Sequence, residues 1–122
     1  MNPINFLFVG IGGFFGAIAR FSVSKKLNKK EMPFPAGTLL INLLGSFLLG
    51  LLVGGNLNGN LYLLGGTGFL GAFTTFSTLN LELVDLAGKD QSLKPLIHYA
   101  ILTYGLGILL AFSGFWLGEW AF

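Results

Sequence analysis

The side chains able to do chemistry in this chain are few, and most lie in apolar surroundings. Asn42 stands inside the uncharged stretch from Ala36 to Leu81, where an amide facing lipid with its hydrogen bonds unmade costs roughly 2–7 kcal/mol. It therefore points into protein or into a watery path; an interhelical hydrogen bond and an anion path remain equally open. Thr38, Ser46 and Gly50 repeat its four-residue spacing and share its helix face. Further along, Gly65 to Thr78 crowds glycine and β-branched threonine together. That composition invites a break in a helix, and a break in lipid is tolerated only where the freed backbone lines a cavity or binds an ion. Exposed carbonyl oxygens there could hold a small hard cation without any carboxylate. The alternative is a continuous helix whose threonine hydroxyls bond back to their own carbonyls.

The same segment carries two strips. Thr67, Gly71, Thr74, Thr75, Thr78 and Glu82 form a polar one, and Phe69, Phe73 and Phe76 an aromatic one. Phenylalanine in such a strip either packs a core or offers the positive edge of its ring to an anion without trapping it. On the first apolar run Gly12, Gly16 and Arg20 share a face, so another helix can pack closely against the glycines. Arg20 either snorkels to the interface or draws an anion to a pore mouth. A late helix presents His98, Tyr99, Thr103 and Tyr104, with His98 one turn from its end, in a structural or a proton-transfer role.

Only membrane helices can position these groups. Of 122 residues, 53% are hydrophobic and 10% charged, whereas a soluble domain is about a quarter charged. The 19 glycines suit close helix contact in a bilayer. There is no cysteine, which excludes disulfides and thiolate metal sites, and one histidine with five scattered acids leaves almost no material for hydrolytic catalysis. A span needs about 20 apolar residues, and the chain reads as four of them in one domain, about 4–24, 36–55, 61–87 and 95–118. Polar turns at Gly55–Asn60 and Gly88–Ser92 separate the later spans. The basic residues after the first run follow it rather than precede it, and no small-x-small site comes next, so the run reads as a span and not as a signal peptide. All seven Lys and Arg fall at or near the 1–2 and 3–4 connections, which the positive-inside rule makes cytoplasmic, with both termini outside.

Three segments together carry a resemblance. Gly16-Ala17-x-x-Arg20, then Gly37-Thr38-Leu39-x-x-Asn42-x-x-Gly45-Ser46-Phe47-x-x-Gly50, then Gly68-Phe69-x-Gly71-x-x-Thr74-Thr75-Phe76-Ser77-Thr78 closely resemble the Fluc (CrcB) fluoride channels. The resemblance covers all four spans in order. It implies an all-α integral membrane protein whose third helix is broken at mid-membrane, assembled as an antiparallel dimer with two fluoride pores. It also implies a structural sodium ion at the dimer centre, held by the backbone carbonyls of Gly71 and Thr74. Asn42 and Phe76 would line a pore, Arg20 would stand near an aqueous mouth, and Thr38, Ser46, Ser77, Thr78, Glu82 and Tyr104 would complete the polar track. Three positions depart from the family's pattern: Leu79 where a second phenylalanine is usual, and Ile108 and Phe112 where small hydroxyl residues are usual, counting from Tyr104.

The expected function is passive export of cytoplasmic fluoride across the plasma membrane, with no covalent chemistry and no nucleic acid partner. A proton-coupled small multidrug exporter of similar size needs a membrane carboxylate in its first helix, and no acid precedes Glu31. A non-conducting structural subunit is the third reading. The split of seven cationic residues against none bears on assembly. Inserting both ways round would carry charges across lipid at about 2.5–3.5 kcal/mol each, so the expected partner is a similar subunit of opposite orientation, a heterodimer, with the homodimer as the alternative.

Overall fold

The computed structural model describes residues 2–29, 31–89 and 93–122, and among these every regular element is a helix. Met1, Lys30 and Asp90–Ser92, which make up most of the expected 3–4 turn, lie outside the described residues. Helix α1 runs Pro3–Leu27: Asn2 caps it by accepting the Asn5 N–H at 3.0 Å, and Pro3 occupies a first-turn position where a missing N–H costs nothing. Helix α2 spans Ala36–Gly54 and ends in a polar turn where Asn56 (φ 57°) and Gly59 (φ 67°) adopt left-handed backbone.

The third segment differs from a single span over 61–87. Residues 59–73 (α3) form one rod, α-helical at Gly59–Tyr62, π-helical at Leu63–Leu70 and α-helical again at Gly71–Phe73. The chain leaves the helix at Thr74 (φ −80°, ψ 159°) and resumes as α4, Phe76–Lys89. The glycine-rich part thus widens rather than breaks, and the break falls at its threonine end. Helix α5, Lys94–Ala121, is continuous but also widens to a π-turn at Leu102–Leu106. Of the described helices, α1, α2 and α5 are long and apolar enough to cross a membrane, while α3 and α4 each fall short alone.

Glycines set the packing. Gly50 and Gly54 of α2 face the carbonyls of Ala111 and Phe115, while Gly114 and Gly118 of α5 face those of Phe47 and Leu51; a Cβ at any of the four would overlap backbone. This reciprocal small-residue seam lets α2 and α5 pack backbone to backbone. On the other side, Gly12 and Gly16 of α1 are buried against the Leu64 and Phe69 carbonyls of the π-helical stretch, as the shared glycine face anticipates. Between the seams Ile41, Leu70 and Phe73 form a small core. Phe69 and Phe73 stack at 5.6 Å, so two members of the aromatic strip are packing residues. Phe76, beyond the break, is 66% exposed.

Candidate functional site

The break is held by one side chain from α2. Asn42 accepts the Thr75 N–H on Oδ1 (2.9 Å) and donates Nδ2–H to the Thr75 carbonyl (3.0 Å), satisfying both polar groups of the residue at the break. Beside it, Gly45 leaves room for the Thr74 methyl, which a Cβ there would overlap. Thr75 is buried, and its Oγ1 accepts the Thr78 N–H at 3.2 Å, capping the start of α4. Thr74 Oγ1 donates to the Leu70 carbonyl at 2.9 Å, the back-bonding expected of threonine in a helix. Asn42 therefore makes the interhelical bond and also lines a cavity.

That cavity, of about 450 Å³, lies between α2, the break and α5. Its polar wall comprises Asn42, Ser46, Thr74, Thr75 and Thr103, and its rim Phe76 and Tyr104. Some of the wall's side-chain hydrogens are committed. Ser46 donates to the Asn42 carbonyl at 2.8 Å, and Asn42 keeps one amide hydrogen after serving Thr75. The buried Thr103 Oγ1 has no partner among the described residues. Leu79, where a second aromatic ring is usual in the resembled pattern, is buried in the same wall.

A second polar cluster ties the helix ends together. Pro35 precedes α2 and offers no side-chain cap, so Asn28, just past α1, supplies one: its Oδ1 accepts the Gly37 and Thr38 N–H groups at 2.7 and 3.1 Å. Backbone N–H can only donate, which fixes the Asn28 amide orientation and turns its Nδ2 to Thr38 Oγ1 (3.1 Å). The Thr38 hydrogen is then free only for Glu82 Oε2 (3.1 Å), and Tyr99 donates to Glu82 Oε1 at 2.9 Å. Thr38 and Tyr99 are completely enclosed, with the Phe34 ring stacked on Tyr99 at 5.7 Å. Glu82 faces a second cavity of about 450 Å³ shared with Asn28, Lys29 and Asp85.

The polar track anticipated from sequence is thus divided. Asn42, Ser46, Phe76, Tyr104, Gly71 and Thr74 meet at the first cavity, and Thr38 and Glu82 belong to the second cluster. Ser77 and Thr78 begin α4 outside both cavities, and Arg20 is half-buried on α1, also outside them. On α5, Thr103, Tyr104, Gly107 and Ile108 line the first cavity, while Phe112 is exposed outside it. Thr75 and Thr103 stood out in the sequence by type and spacing but not as members of the track, and Asn28 did not stand out at all. Asn28 had a signal, an amide shortly before a helix that begins at a proline.

Residues 7–115 match the family described as CrcB-like protein, Camphor Resistance (CrcB). The chain is 51% identical over 113 residues to the fluoride-specific ion channel FluC 1 of Geobacillus kaustophilus, covering 93% of this chain and 97% of that protein. It is 49% identical over 118 residues to FluC 2 of Bacillus cereus (94% and 98%) and 41% identical over 121 residues to FluC 2 of Lactobacillus acidophilus (93% and 97%). With the match running through α1, both sides of the break and most of α5, this chain belongs to the CrcB-like family of membrane ion channels, which are not enzymes.

Proposed function

We propose that this chain is one subunit of an antiparallel, dimeric fluoride channel that lets cytoplasmic fluoride leave passively through the plasma membrane, with four spans per subunit. The relatives named for fluoride, matched along nearly their whole length, support the ion. The observation that carries the reading is the cavity at the break. A small anion gives up water reluctantly, so a conducting wall needs several weak donors rather than one strong charge. The spare Asn42 amide hydrogen and the Phe76 ring edge are of that kind, and the Thr103 hydroxyl, with no partner among the described residues, lies buried behind the same wall. Phe76, Tyr104 and Ile108 stand exposed at its rim, the side on which a second subunit closes the path.

The break also fits a sodium ion. In an unbroken helix the Thr75 and Thr78 N–H groups would serve the Gly71 and Thr74 carbonyls, but both are donated elsewhere. Two such breaks facing each other across a two-fold axis bring four carbonyls together, a donor set suited to a small monovalent cation. Sodium there supplies fixed positive charge and satisfies backbone oxygens that lipid cannot. The one-sided distribution of seven Lys and Arg supports a heterodimer with a similar subunit of opposite orientation. Purified chain in liposomes, alone and with the companion subunit, tests the reading. Fluoride efflux without a proton gradient supports it; no fluoride flux under either condition refutes it.

A further inference from the structure

The two carbonyls of the cation site are not free merely because the helix stops. The Thr74 carbonyl and the Thr75 N–H belong to one trans peptide and point opposite ways, so the bond that holds the N–H also aims the carbonyl. The Thr75 side chain accepts the Thr78 N–H at 3.2 Å, which caps α4 and keeps Thr75 itself out of the helix. The Thr75 N–H, the helical donor for Gly71, is taken by Asn42 at 2.9 Å. One residue therefore takes part in both bonds, through its hydroxyl and through its backbone.

We propose that Thr75 is a positioning residue for the cation: its hydroxyl, by capping α4, holds Thr75 out of the helix, so that the peptide clamped by Asn42 keeps both the Thr74 and the Gly71 carbonyls available. The inference rests on the sodium reading above. It makes α2 a participant in cation binding, because Asn42, which lines the cavity, is the same side chain that clamps Thr75. Two neighbours fit this role. Gly45 admits the Thr74 methyl against α2, and Thr74 Oγ1 is anchored to Leu70, so the Thr74 peptide is fixed on both sides.

A plain helix cap must be told apart from a positioning residue. Loss of a cap lowers stability equally with and without sodium, whereas loss of positioning removes the response to sodium itself. The experiment is thermal unfolding of the purified dimer in detergent, titrated with sodium chloride against N-methylglucamine chloride at constant ionic strength. Wild type and Thr75→Ser, which keeps the hydroxyl, are expected to gain stability at the same half-saturating sodium concentration. Thr75→Val, which keeps the shape and loses the acceptor, is expected to need about tenfold more sodium or to show no response, as for a lost contact to a charged group. Should Thr75→Val not fold, Thr75→Ala removes the same oxygen with less bulk and carries the same expectation. A valine or alanine variant with the wild-type sodium midpoint overturns the positioning role while leaving the cation reading intact. Absence of any sodium response in wild type overturns the cation reading, and the inference with it.

Discussion

Asn42→Asp separates two things that one side chain does. Aspartate keeps an oxygen for the Thr75 N–H but loses the donor that serves the Thr75 carbonyl at 3.0 Å, and sets a second oxygen against it. One buried carbonyl left unserved costs about 1–3 kcal/mol. Asn42→Ala abandons both Thr75 groups and costs about twice that on the same basis. Conduction suffers separately. A unit negative charge about 4 Å from a passing anion costs about 4 kcal/mol at an effective dielectric constant near 20, roughly a thousandfold in occupancy. The assays are thermal unfolding in detergent and fluoride efflux from liposomes carrying the dimer. The aspartate variant is expected to assemble, unfold at lower temperature and pass almost no fluoride; the alanine variant is expected to be the less stable of the two. An aspartate variant as stable as wild type would refute the clamp. One that conducts normally would refute the placement of Asn42 on the path.

Thr103→Val removes a buried hydroxyl that has no partner, so unfolding should show a stability unchanged or raised by about 1 kcal/mol, while fluoride flux falls; a flux equal to wild type would remove Thr103 from the path. Gly114→Val places side-chain carbon on the Phe47 carbonyl, and size-exclusion of the solubilised protein should show loss of the folded dimer; a native elution profile would mean that the α2–α5 seam has slack. Asn28→Asp retains the acceptor for Gly37 and Thr38 and loses the donor to Thr38. By the same reasoning as at Asn42 it should lower the melting temperature, and by less once Thr38 has lost its hydroxyl, an interaction visible in thermal unfolding as non-additivity with Thr38→Val; full additivity would remove the Asn28–Thr38 bond from the account. Topology tags on the Lys25–Lys30 loop should report one orientation; equal numbers of copies facing each way, with fluoride transport by the chain alone, would establish the homodimer.

Much of this protein is decided locally. A chain with 10% charged residues cannot cover a surface in water, and its apolar runs have the length of spans, so the bilayer as solvent and the helical class follow from composition. The spacing of Gly12 and Gly16 foretold one face that meets a neighbour, because a missing Cβ lets backbones touch, whereas the seam through Gly54, Gly114 and Gly118 emerged only on packing. The Gly-Thr segment foretold a break somewhere in Gly65–Thr78. Tertiary structure set it at Thr74–Thr75, since α1 packs its own glycines onto the π-helical stretch and supports it, and Asn42 offers its amide to the freed backbone. The donor and acceptor assignments at the site also depend on contacts distant in sequence. Asn42 and Thr75 are 33 residues apart, and Thr38 and Glu82 are 44. Periodicity shows which face a residue occupies; which partner uses its hydrogen is settled when the helices pack, because a buried polar group takes whatever complement the neighbouring helix brings.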